Sequence, residues 1–214
     1  MNNSPIGVFD SGVGGLTVAR EIMRELPDES IVYFGDTARV PYGSKSRETV
    51  TTFSKQIIRF LKTKDVKAIV IACNTASAFA LHEVAKDADI PIIGVIEPGA
   101  RTANNVTENG RVGIIATEGT VRSGTYEKVL KKINPNLKVF LKACPLFVPL
   151  VEEGWRYDSV TYEVADRYLN DIMTYDIDTL VLGCTHYPLI RRTIQKVVGD
   201  GVTLVNPAYE TAKE

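Results

Sequence analysis

The chain has 214 residues, a formal net charge of -1, 44% hydrophobic and 24% charged residues. That suits one large domain or two small ones with a real core, and the near-neutral balance points away from nucleic acid and from anionic membrane as partners. No stretch approaches the roughly 18 apolar residues of a membrane span, and the N-terminus lacks the basic region and apolar core of a signal peptide.

Apolar runs of strand length open the chain at 6–9 and recur at 31–34, 68–72 and 92–95, each bounded by Gly, Pro or Asp. Between them, residues 16–26, 48–61 and 76–88 carry apolar side chains at helical spacing. The strand signal returns at Arg111–Ala116, 137–141, 179–182 and 202–205, with helices between. Strands regularly separated by helices predict βαβ units, a mostly parallel sheet and the α/β class. The last segment, Asn206 to Glu214, reads as a helix with Pro207 in its first turn that stops after about two turns. So short a helix is worth little without packing, and a continuation beyond it is expected.

A longer pattern overlies this alternation. In the first half, strand signals end at Asp10, at Asp36 and at Cys73; in the second they end at Thr117, Cys144 and Cys184. The offsets are 107, 108 and 111 residues, near enough constant to predict two related α/β halves. In each half the third strand ends in a cysteine followed by small polar residues that open a helix.

Ligands of parallel α/β sheets bind outside the carboxyl ends of the strands, where Cys73, Cys184, Asp10, Asp36 and Thr117 all fall. If the halves face each other, the two thiols flank one crevice. Inverting a carbon centre by proton transfer needs a base on one face and an acid on the other, and two thiols can exchange those roles. An unperturbed thiol titrates near about 8.5, and a helix N-terminus after each cysteine favours its thiolate. Asp10, Asp36, Glu152 and His186 are the candidate proton partners. A lone buried cysteine is usually plain core; the matched contexts of Cys73 and Cys184 argue otherwise, whereas Cys144, before Pro145 and without a polar activator, reads as structural. Three cysteines without CxxC spacing argue against a disulfide framework and for a reducing cytoplasm.

The glycine-rich turn from Asp10 to Thr17 could hold an anion on its N–H groups, but it fails both the dinucleotide fingerprint and the P-loop pattern. It faintly resembles the phosphate loop of sugar kinases and actin-like ATPases, folds that follow it with antiparallel strands where this chain has a helix. Arg39 to Ser44 reads as a tight loop over the strand ends, and His82 as a surface or packing residue. Cys73, Cys184 and His186 are all capable zinc ligands, yet none has a finger or ribbon spacing, so no metal is expected. No lysine stands out for a pyridoxal Schiff base, so no cofactor is expected either.

Five motifs, Phe9-Asp-Ser-Gly-Val-Gly-Gly15, Gly35-Asp-Thr-Ala-Arg-Val-Pro-Tyr-Gly43, Ala72-Cys-Asn-Thr75, Cys144-Pro-Leu-Phe-Val-Pro-Leu-Val-Glu152 and Gly183-Cys-Thr-His186, closely resemble the glutamate racemase family. The resemblance runs from Ile6 to the end of the chain. It implies two α/β domains, 1–97 and 98–205, with 206–214 returning to the first, and an active site between them. It implies cofactor-free interconversion of L- and D-glutamate for peptidoglycan, with Cys73 and Cys184 on opposite faces of the α-carbon. Asp10 would assist Cys73, while Glu152, with Glu153 beside it, and His186 would assist Cys184. Asp10, Ser11, Tyr42, Gly43, Asn74, Thr75, Thr185 and His186 would hold the amino acid. Family members usually continue several tens of residues further and form homodimers. Two other readings stay open: a racemase of aspartate or another amino acid, and a catalytically silent amino-acid-binding protein.

Overall fold

The structure, a computed structural model, describes residues 3–86 and 88–214. Met1, Asn2 and Asp87, the last inside the helix expected over 76–88, lie outside the described residues. The first half runs β1 (Ile6–Asp10), α1 (Leu16–Glu25), β2 (Ile31–Gly35), α2 (Arg47–Lys62), β3 (Ala68–Ile71), α3 (Asn74–Ala85) and β4 (Ile92–Gly94). Its four strands form a sheet of order β2-β1-β3-β4, parallel throughout. Helix α4 (Ile96–Val106) leads to β5 (Arg111–Ala116), α5 (Glu118–Ser123), α6 (Thr125–Ile133), β6 (Lys138–Ala143), α7 (Phe147–Glu152) and α8 (Ser159–Met173). Then come β7 (Thr179–Gly183), a 3-10 turn (Tyr187–Ile190), α9 (Arg191–Val198), β8 (Thr203–Val205) and α10 (Pro207–Lys213).

The second sheet has the order β6-β5-β7-β8, again all parallel. Strand for strand this repeats the first sheet, so the near-constant sequence offset is a repeat of topology, and the α/β class holds in both halves. Every residue of β1 and of β7 is buried, as expected for strands covered by helices on both faces.

Local chemistry accounts for the helices that frame the site. Ser46 caps α2, accepting from the Thr49 N–H at 3.1 Å, and Val50, Ile57, Ile58 and Leu61 form its buried stripe. Helix α3 has no exposed face over its first two turns, where Asn74 to Ala80 are all buried. Its Ala76 and Phe79 pack on the first sheet's core, and its Ala78 joins the cluster built on β5 and β7. Each fully buried Val, Ile, Leu or Phe in these clusters is worth about 1.5–3 kcal/mol.

The division expected between residues 97 and 98 falls inside α4, whose Ala100 and Ala103 pack with Val112, Ile114 and Val181 of the second half. Helix α10 is capped by Asn206, which accepts from the Ala208 N–H at 3.1 Å, and has Pro207 in its first turn. It lies against the first half, with Ala208 and Ala212 in one cluster with Val8, Val18 and Ile22.

Candidate active site

The carboxyl ends of both sheets converge on one small cavity of about 20 Å3, lined by Ser11, Tyr42, Asn74 and Thr75 with both Cys73 and Cys184. Thr185 and His186 line it too. It opens onto a larger apolar cavity of about 490 Å3 that reaches Val13, Pro145, Pro149 and Glu152. Val40, Pro41, Gly43, Thr117 and Val148 belong to both.

Cys73 ends the β3 connection and is the N-cap of α3, its sulfur accepting from the Ala76 N–H at 3.5 Å. A helix N-terminus favours a thiolate. Burial nevertheless pushes this thiol up to about 12, the Asp10 charge adds to the rise, and the Ala76 N–H and Ser11 pull it back. Cys184 follows β7 but is not a helix N-cap; the helix expected directly after it is absent. Thr185 and His186 form a bend, the 3-10 turn with Pro188 follows, and α9 starts only at Arg191. Burial raises the Cys184 thiol, the His186 N–H counters it, and the charges of Cys73 and Asp10 raise it further. Burial thus favours the protonated form of both thiols. Cys144, also buried, has its thiol raised by burial and gives its weak S–H bond to the Lys142 carbonyl.

Asp10 lies wholly buried at the end of β1. Its Oδ2 accepts from the N–H groups of Gly12 at 3.1 Å and Gly15 at 2.9 Å, while Oδ1 accepts from the Thr185 hydroxyl at 3.5 Å. Burial raises its pKa, against the pull of the His186 ring and of the turn's N–H groups. The glycine-rich turn thus holds a carboxylate of the protein itself. Gly14 is there for space: a Cβ would stand 2.5 Å from Cε1 of His186.

On the other side, His186 Nε2 meets Glu152 Oε1 at 2.5 Å, and its Nδ1 lies 3.8 Å from the Cys184 sulfur. Glu152 comes from the end of α7, and Glu153 is the exposed residue that caps it. The Asp10 charge thus acts on both thiols, and Cys184 lies in addition beside an imidazole that is paired with Glu152. Asp36 stands apart from the thiols. It accepts from the Tyr42 hydroxyl and from Arg39 Nε, holding the loop that carries Tyr42 and Gly43 over the cavity. His82 is an exposed residue of α3.

The two halves are joined across the cavity by polar contacts. Thr75 Oγ1 lies 2.9 Å from Thr117 Oγ1 and 3.2 Å from Thr120 Oγ1, and Thr17 donates to the Thr185 carbonyl at 3.1 Å. The Gly119 N–H bonds to the Gly43 carbonyl at 2.8 Å. Thr120 escaped the sequence reading: its only signal is its place three residues after the strand-end Thr117, which caps α5.

Two thiols from equivalent strand ends of two parallel sheets of one topology line a single cavity, with Asp10 and the His186–Glu152 pair in the same site, an arrangement suited to moving a proton on and off a carbon. The comparisons with known proteins agree with that class. The family described as Asp/Glu/Hydantoin racemase matches residues 6–214, and the chain belongs to it. It is 57% identical over 208 residues to a glutamate racemase of Geobacter metallireducens, covering 97% of this chain and 77% of that protein. With a glutamate racemase of Bacillus cereus it shares 52% over 212 residues, covering 99% and 79%. Among solved structures, a glutamate racemase isoform from Bacillus anthracis matches with a TM-score of 0.97 and 47% identity, covering 100% of this chain and 80% of that one. The glutamate racemase of Francisella tularensis in complex with D-glutamate gives 0.92 and 45%, again over 100% and 80%. An aspartate racemase of Picrophilus torridus, 18% identical with a TM-score of 0.68, shares the fold.

Proposed function

We propose that this chain is a glutamate racemase that interconverts L- and D-glutamate without a cofactor, using Cys73 and Cys184 as its acid and base. The observation that carries the reading is that the two cysteines at equivalent strand ends line one cavity. The glutamate-racemase relatives at about half identity favour glutamate over aspartate.

In the reaction a thiolate on one face takes the α-proton, leaving the electron pair on the α-carbon, and the thiol on the other face delivers its proton there. The configuration inverts, and each sulfur ends in the state its partner began in. Burial favours both thiols neutral, so one must give up its proton as substrate binds, Cys73 to Asp10 or Cys184 to the Glu152–His186 pair; the ammonium group, brought close to the buried sulfurs, favours the resulting anion. Asp10 offers an acceptor for the ammonium group and a proton partner for Cys73, and the Glu152–His186 pair does the same for Cys184. Ser11, Tyr42, Gly43, Asn74, Thr75 and Thr185 supply the remaining polar contacts. The inner cavity has room for about one water, so it must widen to admit glutamate.

We divide the halves between residues 97 and 98, in the first turn of α4, and assign the chain to the cytoplasm, where its three free, buried cysteines stay reduced and D-glutamate is made for peptidoglycan. A homodimer is the assembly we expect. None of the described helices is long and apolar enough to cross a membrane.

The test is chiral chromatography of L-glutamate, and separately L-aspartate, after incubation with the protein in buffer alone. Equal amounts of L- and D-glutamate, with aspartate unchanged, are expected. Racemised aspartate with intact glutamate would move the activity to the other substrate, and no racemisation of either, with glutamate still bound, would leave a binding protein.

A further inference from the structure

We propose that Tyr126 is a positioning residue that turns the side-chain amide of Asn74 so that its NH2 group faces the carboxylate of the bound amino acid. The proposal rests on the racemase reading for the identity of that ligand, and on geometry for the rest. Tyr126 belongs to α6 of the second half and is fully buried. Its hydroxyl donates to Asn74 Oδ1 at 2.7 Å, a buried bond between the halves. A Cβ placed on Gly183 would touch the Tyr126 ring at 3.3 Å, so the ring lies against the residue before Cys184 while its hydroxyl holds the residue after Cys73.

A phenol buried in this way stays protonated; its pKa is raised by burial and by the neighbouring Cys184. An O–H donor needs an acceptor, and the amide has one, its oxygen. With Oδ1 taken, the NH2 end is left for the cavity that Asn74 lines, and among the described residues it has no protein partner. A donor in that place suits a carboxylate and rejects an ammonium group, which finds its acceptor at Asp10. Tyr126 therefore helps fix which end of the amino acid lies at which wall, and so which face of the α-carbon meets which thiol. Nothing in the ring's packing with Val112, Ile114 and Leu130 requires the hydroxyl, and phenylalanine would fill the same space.

The experiment compares wild type, Tyr126→Phe, Asn74→Ala and the double variant by steady-state kinetics on L-glutamate, by calorimetric binding of D-glutamate and by thermal melting. Loss of the orienting bond should raise KM and Kd about tenfold with kcat within about threefold, and the double variant should be no worse than Asn74→Ala. Effects of the two single changes that multiply, a fall in kcat alone, or unchanged KM and Kd in Tyr126→Phe would overturn the proposal, whatever the melting temperatures do. A wild type that binds glutamate without racemising it, while the same coupling appears in Kd, would sink the racemase reading and keep the role of Tyr126. A wild type that does not bind glutamate would sink both.

Discussion

Asp10 is fully buried, and the two backbone N–H groups on its Oδ2 do not fully offset the loss of water around a carboxylate. Its pKa is raised, so its stabilising contribution is complete below the unfolded value of about 3.9 and is lost as pH rises through the folded one. Wherever the buried carboxylate is ionised, its charge costs stability. Asp10→Asn should therefore melt a few degrees higher than wild type while kcat falls at least tenfold. A lower melting temperature with kcat intact would mean that Asp10 is only a structural anchor.

The Cys73 thiol follows the same logic at the alkaline end. Its pKa of about 12 keeps the folded chain protonated where an unfolded thiol ionises, so the stability it lends holds below about pH 8.5 and fades as pH rises towards 12. Alkylation of Cys73 by iodoacetamide, mapped by mass spectrometry, should speed up about tenfold per pH unit from 7 past 10. Levelling off near 8.5 would show a thiol that burial does not perturb. These environments were only partly legible in the sequence. Cys73 and Cys184 stood out through their matched contexts, but Asp36 looked as good a proton partner as Asp10, and only the fold turns it toward Tyr42 and Arg39.

Among the elements, strands were the most readable, since each is a short run rich in apolar residues that recurs between helical patterns. Arg111–Ala116 matches its expected span, and the others shift by a residue or two at their ends. The bend after Cys184 was not readable, because Thr185 and His186 are as compatible with a helix start as Asn74 and Thr75. The difference lies in tertiary contacts, with Thr185 reaching Asp10 and His186 reaching Glu152. The loop between β2 and α2 shows how closely these elements approach. A Cβ on Gly43 would stand 2.6 Å from Cβ of Thr117, and its carbonyl already binds the Gly119 N–H. Gly43→Ala should push the loop from α5 and lower kcat/KM on the order of a hundredfold with little change in melting temperature. Gly154→Ala, at a φ of +80° with nothing near its Cβ, should do the reverse: cost about 1 kcal/mol and leave kcat/KM alone. Equal effects on activity would remove the claim that the loop's fit on α5 matters to the site.

At the scale of the molecule, two copies of one topology meet at the carboxyl ends of their strands, and the two cysteines that line the cavity come from equivalent places. That much was visible as a near-constant offset between the strand-end residues. Contacts between the halves were not visible, because residues such as Asn74 and Tyr126, or Thr17 and Thr185, carry no pattern that links them along the chain. Nor was the role of α4, which begins beside β4 yet packs on the second sheet.

The central claim, one thiol for each face of the α-carbon, is tested most directly by following glutamate in D2O by proton NMR with wild type, Cys73→Ser and Cys184→Ser. Wild type should put deuterium at the α-carbon of both enantiomers and racemise them, and each variant should lose racemisation by at least a thousandfold. Each variant, keeping one thiol, should exchange the α-proton of one enantiomer without inverting it, and the two variants should act on opposite enantiomers. Exchange of the same enantiomer by both variants, or inversion that survives the loss of either sulfur, would contradict the account.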